Sequence, residues 1–214
     1  MLLETMNTQI AGKLKMNKYH SSLSGYTQET ASECSYFEWE NSIAFYHDLC
    51  AKDELPDEFK KCDILYVEIP WQKGFNIFNE RANINDKRTY ELFLNHLSKI
   101  INNTDIPLVI LCGKTSTKRL PKPFKKQQVI NSYLKTNYPF NALFYNFETV
   151  PEFTNTKDFF SWGVYNFDCV GDFMCGYGLT GKHFLKNDKS CVLSDYNKTC
   201  IGYIAETMEG WQDE

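Results

Sequence analysis

No apolar run in the 214 residues approaches the ~18 needed to cross a bilayer as a helix. The first residues lack the basic-then-apolar order of a secretory leader. A membrane-spanning or exported chain is therefore not expected, and the composition reads as a cytoplasmic protein. Metal chemistry is equally short of material. The four histidines, at 20, 47, 96 and 183, have no ligand spacing to cysteine or carboxylate, and the eight cysteines contain no C-x-x-C pair. Three of the cysteines fall in apolar strand-like runs, so buried free thiols in a reducing compartment are expected rather than disulfides or zinc. His96 and His183 read as helix-surface residues, and His47, beside Asp48, as the rim of a site. Positive charge is not in surplus: 23 basic residues face 27 acidic ones for a net charge of −4, which excludes a polycation. A nucleoside-triphosphate loop is missing too. Gly113-Lys114-Thr115 resembles its end, but the glycine required five residues earlier is Leu108.

What is present is apolar and aromatic. A hydrophobic content of 43% and an aromatic content of 15% describe a compact globule able to bury a sizeable core. Residues 1–30, rich in Ser, Thr, Asn and Lys, read as a flexible or partner-draped arm, and residues 31–214 as one domain. Within it, Ser42–Tyr46, Asp63–Val67, Ile106–Gly113, Ala142–Phe147 and Ser190–Ser194 read as strands. Lys87–Ile101 carries apolar residues at helical spacing. Strand, helix, strand implies a parallel βαβ unit. The fold class expected is α/β, a Rossmann-like domain with a mostly parallel sheet and helices on both faces.

Positive charge is concentrated in one place. Residues 113–138 read as a basic insertion: Lys114, Lys118, Arg119, Lys122, Lys125, Lys126 and Lys135 stand there without an acid, leaving 16 basic against 27 acidic residues elsewhere. Such a segment is a candidate phosphate-contacting surface; a solvated loop around Pro121 and Pro123 is the plainer reading.

Two stretches carry chemistry. Val170–Gly181 reads as a strand ending in Asp172, a turn with glycines at 176, 178 and 181, and a helix from about Leu179 to Lys186. Glycine admits φ > 0 and close backbone approach, and a helix start presents free N–H groups; a turn needing glycine for steric reasons alone would look the same. The next strand ends in Asp195, near the ~20-residue offset at which an acid meets a ribose in nucleoside-binding α/β folds. The second stretch, Glu68-Ile69-Pro70-Trp71, puts a carboxylate at a strand end, a stiffening proline and a flat indole together, a set able to hold a planar, amine-bearing ring. A strand ending at a proline beside a core tryptophan is the alternative.

Taken together, the chain resembles the S-adenosylmethionine-dependent DNA methyltransferases that modify adenine N6 or cytosine N4. Glu68-Ile69-Pro70-Trp71 is similar to that family's Asp/Asn/Ser-Pro-Pro-Tyr/Trp/Phe tetrapeptide, and Asp172–Gly181 to its Asp-x-Phe-x-Gly-x-Gly-x-Thr turn. Ser194-Asp195-Tyr196-Asn197 resembles its ribose-binding segment. The tetrapeptide before the turn is the family's circularly permuted order. The resemblance implies methyl transfer to an exocyclic amine of a base, DNA adenine N6 first. Glu68 and the Pro70 backbone would accept the amine's hydrogen bonds and Trp71 would stack the base. Asp172, Phe173, Cys175, Gly176, Gly178, Thr180 and Asp195 would hold S-adenosylmethionine, the only cofactor implied. Lys114, Lys118, Arg119, Lys122, Lys125 and Lys126 would contact DNA or RNA, with a homodimer or partner subunit supplying specificity. Glu68 and Ile69 depart from the family's pattern. A catalytically inactive protein on the same scaffold, binding cofactor or a partner, and a methyltransferase acting on a small molecule are the competing readings.

Overall fold

Ile64-Leu65-Tyr66-Val67 and Leu108–Cys112 are uninterrupted apolar runs, the pattern of strands covered on both faces, and both are buried at the centre of one sheet in the computed structural model. The structure describes residues 31–70, 72–84, 88–131 and 139–212. The sheet comprises β1 (Tyr36–Trp39), β2 (Ser42–Tyr46), β3 (Ile64–Glu68), β4 (Leu108–Cys112), β5 (Lys126–Asn131), β6 (Pro139–Tyr145), β7 (Cys169–Asp172) and β8 (Ser190–Asp195). Their spatial order is β1-β2-β8-β7-β3-β4-β6-β5. The five strands β2, β8, β7, β3 and β4 run parallel. β1 and β6 are antiparallel to β2 and β4, and β5 is antiparallel to β6.

Helices α1 (Gln72–Arg81), α2 (Tyr90–Asn103), α3 (Lys114–Thr117), α4 (Thr156–Asn166), α5 (Leu179–Leu185) and α6 (Lys198–Thr207) complete an α/β, Rossmann-like fold. Alternate strand residues feed two cores, as the pleat requires. Leu65, Val67, Leu108 and Ile110 pack under Phe75 of α1 and Phe93, Leu97 and Ile100 of α2. Ile64, Tyr66, Val109 and Leu193 pack under Phe159 and Phe160 of α4, Phe184 of α5 and Ile201 of α6. The helix expected from Lys87 begins at Tyr90, because Thr89 caps it by accepting from the Leu92 N–H. No described helix is long and apolar enough to cross a membrane.

Connectivity decides where a ligand can sit. β7 passes through α5 to β8 on one side, whereas β3 passes through α1 and α2 to β4 on the other. The two excursions cover opposite faces, so the chain diverges between β7 and β3. In open α/β sheets a crevice forms outside the carboxyl ends of the strands at such a point.

The expected basic insertion is resolved differently. Lys126–Asn131 is an edge strand of the central sheet rather than an excursion from it. The expected arm at 1–30, Trp71 and Lys135 lie outside the described residues.

Candidate active site

Three neighbouring strands end in acids at the divergence. Asp172 closes β7, Asp195 closes β8, and Glu68 closes β3. Register places Asp172 beside Leu193 and Gly171 beside Leu65, so Asp195 and Glu68 each reach beyond Asp172 and flank the turn that follows it. The two stretches singled out in the sequence, about a hundred residues apart, are therefore side by side.

The turn is built by the two aspartates. Asp172, 3% exposed, accepts from the Met174 N–H through Oδ1 at 3.1 Å and from the Thr180 hydroxyl through Oδ2 at 2.8 Å, tying the turn's start to α5. Asp195 accepts from the Gly176 N–H at 2.9 Å and the Asn197 N–H at 2.8 Å, stitching the turn to β8. Gly176 and Gly178 both have positive φ, +51° and +78°, which glycine alone adopts without strain. They differ in surroundings: a Cβ on Gly178 would drive into the Trp211 ring, while one on Gly176 would meet nothing within 4 Å among the described residues. The turn is thus closed at Gly178 and open at Gly176. Gly181 belongs to α5, not the turn, and lets that helix approach Leu193 and Cys191. Phe173 and Cys175 are buried in opposite cores.

Electrostatically the acids are held against their ordinary preference. Burial, above all, raises Asp172 to about 7; its Thr180 and Met174 partners pull it down, and the charges of Asp195 and Glu68 push it up again. Burial raises Asp195 to about 6 against the N–H groups that stabilise its anion. Glu68 is solvent-exposed; the protein around it still moves its carboxyl upward by desolvation, and the open surface limits the energetic weight of the shift.

The backbone after Glu68 is anchored. Ile69 is buried and donates its N–H to Leu111. The Pro70 carbonyl accepts from the Tyr90 hydroxyl at 2.9 Å, and Tyr90 meets Ser116 Oγ at 2.8 Å. Since the carbonyl can only accept, Tyr90 spends its proton there and Ser116 donates to Tyr90. One acceptor position of Pro70 is thereby taken.

The basic residues do not form one surface. Lys114 follows β4 at the carboxyl edge, the edge of Glu68, and is exposed like Lys118. Arg119 lies over the Tyr90 ring and pairs with Glu91. Lys126 is level with Phe144, and Phe144 with Val109, which puts Lys125 and Lys126 toward the amino edge. Lys126 is bound to Glu152 at 2.6 Å and to the Val150 carbonyl at 2.9 Å. Lys122 is exposed between the two groups.

Further residues emerge only in three dimensions. At the carboxyl end of β2, His47 is 6% exposed with both ring nitrogens unpartnered among the described residues, and its backbone N–H donates to the Asp195 carbonyl at 3.0 Å. It is a buried residue rather than a rim one, and burial lowers its basicity. Asp48 forms a buried pair with Arg88 at 2.9 Å. A shallow depression beside Asp195 is lined by Tyr46, Arg81, Asn83, Tyr196, Asn197 and Lys198. The two other described histidines are not plain surface residues: His96 Nδ1 meets the Leu49 carbonyl at 2.8 Å, and His183 stacks on Phe160 at 4.5 Å. Among the described residues no cluster of His, Cys, Asp and Glu could hold a metal ion.

No family model and no curated protein matches the chain. Solved structures do resemble it. M1.HpyAVI in complex with SAM aligns over 77% of this chain and 98% of its own, at 11% identity and a TM-score of 0.47. M1.HpyAVI determined separately aligns over 77% and 97%, at 13% identity and 0.44. TTHA0409 from Thermus thermophilus, provisionally assigned as a DNA modification methylase, aligns over 70% and 86%, at 12% identity and 0.44. At this level no residue's role passes from them to this chain.

Proposed function

We propose that the chain binds S-adenosylmethionine at the Asp172–Thr180 turn and transfers its methyl group to an exocyclic amine of a nucleic-acid base, adenine N6 of DNA foremost. One observation carries the reading: three acids on three contiguous strand ends meet, where the chain diverges, a glycine turn left open at Gly176. The residues fit such a cofactor. Gly176 leaves room for a ligand against bare backbone, Asp172 and Asp195 keep acceptor capacity beyond their internal bonds, and His47 offers an unpartnered buried ring beside Asp195. When bound, the cofactor would supply an electrophilic methyl group on a positively charged sulfonium.

The chain's own residues would do the rest. Asp172 shapes the turn and adds negative charge beside it, and Asp195 offers oxygens suited to a ribose hydroxyl pair. Glu68, open to solvent on the adjoining strand, would accept hydrogen bonds from the amine and stabilise the positive charge that develops on nitrogen. Trp71 would stack the extruded base, and Lys114 and Lys118 at the same edge would hold phosphates. The strand order, with the tetrapeptide on β3 and the turn on the later β7, agrees with a permuted amino-methyltransferase spanning 31–214.

A second reading is favoured by one observation. The Pro70 carbonyl is already engaged by Tyr90, and Ile69 stands in place of a proline, so the acceptor end would be weakened in a protein that binds cofactor without transferring it. Titration calorimetry with S-adenosylmethionine tests the common foundation, and absence of binding refutes both readings. Incorporation of labelled methyl into DNA, lost in Glu68→Ala, supports transfer; binding without incorporation supports the second reading.

A further inference from the structure

We propose that Cys62 and Cys169, at the amino edge of the sheet and remote from the acid cluster, form a reversible disulfide when the protein meets a peroxide. The two sulfurs lie 3.7 Å apart across 107 positions of sequence. Their backbones are already clamped: the Asp63 N–H donates to the Cys169 carbonyl at 2.9 Å, and Asp63 Oδ2 accepts from the Asp168 and Cys169 N–H groups, each at 2.9 Å. Both side chains enter the same core, where Cys62 fills space left by Gly171; a Cβ there would stand 3.0 Å from its sulfur. A disulfide would bring the sulfurs to a bond length of about 2.0 Å.

The pair is also chemically primed. Sharing one hydrogen bond favours a single thiolate within the pair, and that bond draws Cys169 down against the effect of burial. Its partner is pushed up correspondingly, and Lys61 lowers both. At 6% and 7% exposed, Cys62 and Cys169 lie just below the surface, within reach of a molecule as small as hydrogen peroxide. The Cys169 thiolate attacks one peroxide oxygen, breaking the O–O bond and releasing hydroxide, to give a sulfenic acid. Cys62 then attacks that sulfur, its proton and the departing hydroxyl leaving as water. Two thiols are oxidised to one disulfide and one peroxide is reduced to two waters.

The bond would staple β3 to β7, the strands whose far ends carry Glu68 and Asp172. Closing so long a loop raises the melting temperature by about 5–15 °C. The test treats the full chain with hydrogen peroxide, alkylates remaining thiols, digests without reductant and reads the peptides by mass spectrometry. Expected are a linked pair containing Cys62 and Cys169, lighter by two hydrogens and reversed by dithiothreitol, and a melting temperature raised only before reduction. In Cys62→Ser, dimedone should trap a sulfenic acid on Cys169. Recovery of both residues as alkylated thiols while Cys34 or Cys50 is oxidised, or a link from either to another cysteine, overturns the proposal. Should the variant fail to fold, the wild-type peptide map and melting shift decide it alone.

Discussion

Gly176 and Gly178 share a left-handed backbone but not a neighbourhood, and that difference can be measured. Placing alanine at either forces a Cβ into a region that disfavours it by about 1–2 kcal/mol. At Gly176 little else happens, because no described residue lies within 4 Å of the new atom. At Gly178 the methyl meets Trp211, a fully buried ring, and also crowds Ile204 at 3.2 Å. Overpacking of that kind adds about 1–3 kcal/mol. Urea unfolding should therefore show Gly176→Ala losing about 1–2 kcal/mol and Gly178→Ala about 2–5 kcal/mol. Calorimetry with S-adenosylmethionine should invert the order of importance. Gly176→Ala, folded and less destabilised than Gly178→Ala, fills the space assigned to the ligand and should lose at least tenfold in affinity, about 1.4 kcal/mol. Equal destabilisation by the two substitutions would refute the packing argument, and undiminished binding by a folded Gly176→Ala would refute the placement of the cofactor.

Other consequences follow from the same geometry. Asp172 and Asp195 titrate higher when folded, at about 7 and about 6, than in an unfolded chain, so the folded state holds the extra protons from about pH 4 upward. Their effect on stability is least adverse below that value and worsens as pH rises through the folded values. Asp172→Asn should flatten this decline and gain about 2–4 kcal/mol over wild type at pH 8 relative to pH 4 in urea unfolding; parallel curves would contradict it. A cationic cofactor should conversely bind wild type more tightly at pH 8 than at pH 5.5, measured by calorimetry. Lys114→Ala and Lys118→Ala should each reduce the salt slope of DNA binding by about 0.9. Lys126→Ala, whose side chain is engaged with Glu152 and Val150, should leave that slope unchanged. Tyr90→Phe removes the bond to Pro70 and should cost about 1–2 kcal/mol in stability without changing affinity for S-adenosylmethionine, read by urea unfolding and calorimetry.

The sequence was most legible where burial is two-sided. β3 and β4 are continuous apolar runs because helices cover both faces, and α2 shows its 3.6-residue stripe because one side of it faces solvent. The elements that escaped notice are those whose partners lie elsewhere. β5, Lys-Gln-Gln-Val-Ile-Asn, is an edge strand paired on one side with Val129 65% exposed, so its polarity resembles a loop. α1 carries Gly74 in its interior and leaves Ile77 exposed, which breaks any apolar stripe. α4 places Phe159, Phe160 and Trp162 within four residues, which hides the helical spacing. In the site, Asp172 and Asp195 were legible by their offset within one βαβ unit. The Asp48–Arg88 pair was not, since it spans 40 positions and depends on where β2 lands in the sheet. The split of the basic segment was hidden for a related reason: a linear cluster of lysines says nothing about which edge of a sheet each occupies once the chain reverses.

The treatment of buried acids separates structure from function in this fold. At the end of β2, Asp48 is neutralised by the Arg88 guanidinium within the same buried pocket, the arrangement that limits the cost of a buried charge. One strand over, Asp195, and beyond it Asp172, are held by neutral donors: the Thr180 hydroxyl and the N–H groups of Met174, Gly176 and Asn197. Those donors define the turn, yet both acids still sit well above their ordinary range. An asparagine could supply much of the same hydrogen bonding without the charge. Keeping two carboxylates there, with Glu68 adding a third on β3, lowers stability at neutral pH and creates a standing demand for positive charge at the open side of Gly176. A ligand with a cationic centre beside a hydroxyl-bearing ring meets that demand, whereas a neutral or anionic nucleoside would leave it unmet. Competition therefore discriminates between ligand classes. S-adenosylmethionine should bind this site more tightly than S-adenosylhomocysteine, its neutral thioether counterpart, and the advantage should shrink in Asp172→Asn. Equal affinities in wild type would mean that the carboxylates serve the turn alone.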